Sequence, residues 1–380
     1  MNIVTLKHLT GLRKELHTHP EISGEEKQTA QRIINEIRGY KPDEIITGLG
    51  GYGIAAVFKG ALPGPALMFR AELDALPLQE ENTFEHRSAE PGKAHLCGHD
   101  GHMAILGGLA RHLSLIRPKK GKIILLYQPA EETGAGAENV INNQAFAALQ
   151  PDFVFAIHNL PGFPLHQVIV SDRHFAAAST GMIIRLKGAS SHAAEPEKGR
   201  SPSQAVAEII GQLESLPGRC KLKSFALLTI IHARIGNVAF GTTPGEAVVM
   251  ATLRAYENDD LENLGKAAED IVRTLSQKHK LEYEISYTET FPATINNPEA
   301  NRFVKKAAIS AGFVIHEIEQ PFKWTEDFGH FTASFKAALI GLGSGQDHPA
   351  LHHADYDFPD ELIPTGVSLL QQICREMGMI

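Results

Sequence analysis

"GKIILLYQPAEETGAG" (residues 121–136) decides how this chain is read. Its apolar run has the length of a strand buried on both faces. It breaks at Pro129 into two adjacent acids, Glu131 and Glu132, and then into a glycine-rich turn. The pattern recurs. "ALMFRAELDALP" (66–77) passes from apolar residues to Glu72 and Asp74, whose i, i+2 spacing puts both carboxylates on one side of an extended chain. "FVFAIHN" (153–159) closes on His158, and "ALIGLGSGQDHPALHHADYD" (338–357) leads to His348, His352 and His353. Open α/β sheets bind ligands beyond the carboxyl ends of their strands. Four strands are therefore expected to deliver carboxylates and imidazoles to one edge.

Working outward, "YGIAAVF" (52–58) adds a further strand, and helical stretches at 103–116 and about 136–148 alternate with the runs. Strand alternating with helix predicts a sheet with parallel pairs, covered on both faces. The N-terminal stretch from about Leu6 to Arg38 has helical spacing and ends near Gly39, with His17 and His19 at a helix end before Pro20, in structural roles. The middle differs. Strands at 180–188, 225–236, 245–256 and 281–290, with helices at 201–216 (Ser at its cap, Pro in its first turn) and 260–279, run in the order β-α-β-β-α-β. That is the split βαβ unit, and it predicts a small domain over 178–291. The flanking parts, 1–177 and 292–380, then form one discontinuous α/β domain, closed by a helix at 298–312, a strand at 337–343 and a helix at 360–377.

The 380 residues suit about two or three domains. An apolar content of 43% and a charged content of 21% fit a globular chain with a sizeable core. With 36 basic against 44 acidic residues, the net charge is −8, which speaks against a nucleic-acid or anionic-membrane partner. "RPKKGK" (117–122) reads as a solvated turn. Charges break the first apolar stretch, so no signal peptide is expected, and no run approaches the roughly 20 residues of a membrane span. Three cysteines, Cys97, Cys220 and Cys374, give no disulfide framework. The expectation is a cytoplasmic protein with Cys97 available as a ligand.

"HLCGHDGH" (95–102) supplies three histidines, a cysteine and an aspartate. Taken singly, each segment has an ordinary explanation: a polar turn or a local zinc clip here, a solvated helix start at Glu131 and Glu132, a core histidine at His158. Together, imidazole, carboxylate and thiolate suit a borderline divalent metal. So many donors exceed one tetrahedral ion and fit a pair of metals about 3.5–4 Å apart. Of two adjacent glutamates, one could bind metal while the other shuttles a proton.

These motifs resemble the M20 metallopeptidase family, and within it the amidohydrolase subfamily of hippurate hydrolases, N-acyl-amino-acid deacylases and auxin-conjugate hydrolases. The likeness spans nearly the whole chain: "RKELHTHPEISGEE", "FRAELDALPLQE", "HLCGHDGHMA", "YQPAEETGAGA", "KGASSHAAEPEKGRSP", "TEDFGHF" and "LHHADYDFPDE". The resemblance implies a zinc-peptidase-like α/β catalytic domain with an inserted α+β, ferredoxin-like lid. It also implies two divalent metal ions, zinc or manganese first and cobalt or nickel as alternatives. Their ligands would be Cys97, His99, Glu132, His158 and His352, with Glu131 as general acid/base. Asp74 and Asp100 would orient histidine ligands, while His95 and His102 position the loop. His192 would assist substrate or oxyanion binding, and Arg254 would hold a substrate carboxylate. The implied substrate is a small N-acyl amino acid or amide, and the lid is the implied homodimer surface. Dipeptidases and aminopeptidases share the fold; a metal-binding protein without hydrolase activity is the other alternative. Three departures stand out: Glu72 where the subfamily has Asp, Gly241 where it has Asn, and "LHHA", which makes His353 a rival to His352.

Overall fold

A computed structural model describes residues 2–380. The chain divides into two compact units: residues 2–175, Thr294–Pro321 and Glu326–Ile380 form one, and Ala176–Ala293 with Phe322–Thr325 the other. Nothing in composition or spacing marks Phe322–Thr325 as part of the second.

The first unit is built on an eight-stranded mixed sheet. In spatial order its strands are Glu44–Leu49, Gly53–Lys59, Lys120–Gln128, Leu62–Glu72, Phe153–Pro161, Lys336–Gly345, Val168–Val170 and Ile315–Glu317. The four in the middle run parallel to one another. Alternate residues on them, such as Leu67, Phe69 and Ala71 or Ile123, Leu125 and Tyr127, pack into the main core with the helices His99–Leu115, Leu362–Glu376 and Ile3–Thr18. The intervening residues, including Met68, Ile124, Leu126 and Val154, are buried as well. That double burial is why these strands read as unbroken apolar runs. Their carboxyl ends lie on one edge, as the recurring pattern requires.

The N-terminal helical stretch is two helices, Ile3–Thr18 and Lys27–Arg38. Pro20 disfavours helical backbone at His19, and the chain turns aside to pair Ile22 with Ala75 before resuming. The helix after "HLCG" begins at His99, not at 103, so His99 and His102 of that motif occupy its first turn while His95 precedes it. The second unit is an antiparallel sheet ordered Glu282–Phe291, Ala178–Lys187, Glu246–Ala255, Ala226–Ile235. The helices Ser203–Glu214 and Asn258–Lys278 cover it, with Val206, Ile209, Leu264 and Val272 packed on Met182, Ile184 and Val249. Pro202, not a serine, occupies the cap position of the first helix. Among the described residues no helix is long and apolar enough to cross a membrane.

Candidate metal centre

Four stretches meet beyond the parallel strands. The first is the loop and helix start at 97–99. Gly98 takes φ 93° there, and a side-chain carbon on it would fall 2.3 Å from Asn159 Oδ1. That position therefore needs glycine on two counts. The second is the turn after Gln128, where Ala130 adopts φ 53° just ahead of Glu131 and Glu132. The third is the end of Phe153–Pro161, which carries His158. The fourth is the loop after Lys336–Gly345, where His352 also has a positive φ of 65°. Strained backbone at two non-glycine residues flanking one cluster is characteristic of functional sites.

The donor atoms converge. Cys97 Sγ lies 3.5 Å from His158 Nε2. His99 Nε2 is 3.9 Å from a carboxylate oxygen of both Glu131 and Glu132, and His352 Nε2 is 3.8 Å from Glu132. Among the described residues five groupings could hold a metal ion, and three of them consist of the expected ligands and Glu131: Cys97, His99 and His158; Cys97, Glu132 and His352; and His99, Glu131 and Glu132. The other two are Glu72, His99 and His102, and Glu131, Glu326 and Asp327. Cys97, His99 and Glu132 each belong to two of the first three. Ligand atoms on a tetrahedron with bonds of about 2.0–2.3 Å stand roughly 3.3–3.8 Å apart, close to the spacings here.

The surroundings fix how the donors present themselves. His99 Nδ1 donates to the Asp74 carbonyl at 2.8 Å, and His158 Nδ1 to the Asn159 carbonyl at 2.8 Å. Each bond leaves Nε2 as the lone-pair nitrogen turned into the cluster. His99 Nε2 and Glu132 Oε1 are buried with no hydrogen-bond partner. Burial, then the neighbouring Glu326 and Glu132, pushes the Glu131 carboxyl well above its usual range. Burial and Asp74 do the same to Glu132, and burial with Glu132 and Glu131 raises the Cys97 thiol. Orphaned donors and crowded anionic groups are what added cations would satisfy, so the residues present fit a metal site.

The other expected residues are placed as follows. Asp74 meets His99 through its backbone carbonyl, while its Oδ2 takes Ser23 Oγ at 2.7 Å and the Glu132 N–H at 3.0 Å. Asp100 pairs with the first helix rather than with a donor of the cluster. Its Oδ2 accepts from His17 at 2.9 Å and from Arg13 at 3.1 Å. His102 bridges Glu72 and Asn159 Oδ1, both at 2.6 Å; the longer Glu72 thus reaches an imidazole on one oxygen and Arg70 on the other. His95 is buried with both ring nitrogens unpartnered. His353 turns out to Asp355, at 2.5 Å, and His348 donates to the Asp357 carbonyl. His192 and Arg254 lie in the second unit. His192 is exposed, and its Nδ1 accepts the Ala194 N–H. Arg254 donates to the Lys323 carbonyl at 3.0 Å, and among the described residues no carboxylate pairs with it.

Sequence reasoning missed the support beneath Glu131. Arg70, fully buried, contacts Glu72, Glu326 (2.9 Å) and Asp327 (2.5 Å), with Gln128 Oε1 on its Nε. Asp327 also accepts from Gln128 and from the Ala137 N–H, and its own N–H reaches Glu131 at 3.3 Å. Only the charge of Arg70, embedded in a buried strand, could have signalled this.

Residues 68–376 match the profile of the peptidase family M20/M25/M40. An N-acetyldiaminopimelate deacetylase of Bacillus subtilis is 25% identical over 96% of this chain and 97% of its own length. An IAA-amino acid hydrolase of Arabidopsis thaliana is 28% identical over 96% and 85%. Among solved structures, the B. subtilis YXEP protein, described as a dinuclear metal binding peptidase, superposes with a TM-score of 0.83 at 23% identity, covering both chains fully.

Proposed function

Because this chain belongs to peptidase family M20/M25/M40, we propose that it is a metal-dependent amidohydrolase cleaving N-acyl amino acids or related small amides into a carboxylic acid and a free amino acid. The observation that carries this reading is a cluster, buried at Cys97, His99 and His158 and open at His352, in which Glu131, raised in pKa, stands beside the donors Cys97, His99, Glu132, His158 and His352. Those five would hold two divalent ions, zinc or manganese before cobalt or nickel. When bound, the ions supply Lewis-acid polarisation of the amide carbonyl and activation of water.

The chain's own residues then do the following. Glu131 accepts the proton of the attacking water as its oxygen bonds to the amide carbon. It delivers that proton to nitrogen as the C–N bond breaks, so one carboxyl serves as base and then as acid. The Asp327 N–H and the backbone around Ala130 hold it in place. Asp74 fixes His99 through its carbonyl and the Glu132 backbone through its side chain. His192 is assigned as a donor to the developing oxyanion and Arg254 to a substrate carboxylate. Among the described residues the Arg254 guanidinium has no carboxylate partner, which supports the second assignment over a cross-strand ion pair. A homodimer through the second unit is supported by its edge strand Ala226–Ile235, on which Leu227, Ile231 and Ile235 are exposed.

The test is Glu131→Gln, assayed on a panel of N-acyl amino acids and of dipeptides with free amines, with metal content measured in parallel. The variant is expected to keep about two metals per chain and lose at least roughly 100-fold in turnover. Near-normal turnover would overturn the assignment. Preference for the dipeptides would move the protein to the peptidases of the fold.

A further inference from the structure

The segment "HPEISGEE" (19–26) has no part in the mechanism above, yet it holds a fully buried carboxylate. Glu26 is 0% exposed. Its Oε1 accepts the backbone N–H of Ala130 at 2.8 Å, while Oε2 is buried without a hydrogen-bond partner. Ala130 is the residue at φ 53°, immediately before Glu131. An L-alanine in that region is disfavoured by roughly tenfold or more, so its surroundings must impose the conformation. They do so at both ends of the residue. The Ala130 N–H is held by Glu26, and its carbonyl accepts from Gly136 N–H at 3.0 Å and Thr133 Oγ1 at 3.2 Å. Gly136 packs so tightly that a side-chain carbon there would fall 1.8 Å from the Pro129 carbonyl. The same segment reaches the other side of the acid pair: Ser23 holds Asp74, and Asp74 holds the Glu132 N–H.

We propose that Glu26 is a positioning residue for the hydrolysis: by accepting the Ala130 N–H it maintains the left-handed backbone that aims the Glu131 carboxyl. The inference rests on Glu131 as the proton carrier. Burying an ionisable side chain to satisfy one amide is costly, and the cost is intelligible where that amide sets the orientation of a reacting group. If Ala130 relaxed to negative φ, the chain leaving Pro129 would change direction and carry Glu131 with it. A displacement of about 1 Å at a reacting group lowers turnover by up to about 100-fold.

Four variants test this: Glu26→Leu, Glu26→Gln, Glu26→Leu combined with Ala130→Gly, and Ala130→Gly alone as the reference for the double variant. Glu26→Leu is expected to lower kcat about 10- to 100-fold with KM and metal content unchanged. Its crystal structure should show residue 130 out of the left-handed region. Glu26→Gln, which keeps an acceptor for the N–H, should retain kcat within about threefold. Ala130→Gly, which removes the penalty for positive φ, should restore about fivefold to Glu26→Leu. Three results would overturn the proposal: wild-type kcat in Glu26→Leu, equal damage from Glu26→Gln, or residue 130 unmoved in the Glu26→Leu structure. If Glu26→Leu does not fold, Glu26→Asp replaces it with the same expectations, since its oxygen stops one methylene short. The φ at residue 130 is read without any assay, so it decides the positioning claim even if Glu131→Gln proves active.

Discussion

Two imidazoles stand side by side at 352 and 353, and they point to different places. His352 faces Glu132 at 3.8 Å, with its backbone N–H on the Leu96 carbonyl at 2.8 Å. His353 pairs with Asp355 in solvent. His352 takes a positive φ and His353 does not, so the two side chains leave the backbone in different directions. His352→Ala is therefore expected to reduce bound metal from two ions towards one per chain and to lower turnover by more than about 100-fold. His353→Ala should change neither beyond about twofold. Elemental analysis of the two purified variants decides it, and equal metal loss in both would reverse the choice. Sequence favoured His352 only because it follows Leu351. Backbone strain at a non-glycine residue leaves no mark in composition or spacing, so neither this turn nor the one at Ala130 was legible beforehand. Arg70 was hidden for a related reason. Its partners Glu326 and Asp327 lie more than 250 positions away, and nothing local ties them to it.

Strands and helices were far easier to read than their ends. The central strands are buried on both faces, so each appears as an apolar run that stops where the sheet edge begins, and the acids and histidines that follow are conspicuous. The helix carrying "HLCGHDGH" was harder. Glycine and polar residues in its first turn read as loop, so the sequence pattern starts the helix at 103, four residues after its actual start at His99. Those residues are there because the turn packs against polar groups. Gly98 caps the helix in left-handed conformation with Asn159 pressed against its α-carbon. Asn159 in turn bridges His102 and the Tyr356 hydroxyl. Gly98→Ala must bear a side chain at φ 93° and displace Asn159, a combined cost of about 2 kcal/mol or more. Its denaturant midpoint should fall by the equivalent amount with m unchanged, and metal affinity should fall with it because Cys97 and His99 flank the substitution. A midpoint equal to wild type would show that the loop has room the geometry denies.

At the scale of the whole molecule, the ends of the chain are tied behind the metal loop by charge. Arg13 and His17, on the first helix, are both fully buried. Arg13 binds Asp100 on the helix after the loop, and also Asp357 at 2.7 Å and Asp360 at 2.6 Å, near the last helix. His17 donates to Asp100 at 2.9 Å and Glu80 at 3.2 Å. Burial alone would lower the His17 pKa; the hydrogen bonds to Asp100 and Glu80 outweigh it and raise the value to about 9. The Asp100 carboxyl is held far below its usual range by the same contacts despite its burial. A histidine whose folded pKa exceeds the unfolded value near 6.5 contributes stability that is complete below that value and fades as pH rises through the folded one. The carboxylates set the acid limit, since their contribution fades as pH falls below about 4. The clamp is thus at full strength between about pH 4 and 6.5 and weakens towards pH 9, by an amount of order 3 kcal/mol for His17. His17→Gln removes the titration but keeps a polar group of similar reach. Its deficit in thermal unfolding temperature relative to wild type should be largest near pH 6 and shrink steadily towards pH 9.5. A deficit that stays constant across that range would mean that His17 is neutral in the folded protein, and that Arg13 alone supplies the positive charge binding the first helix to Asp100.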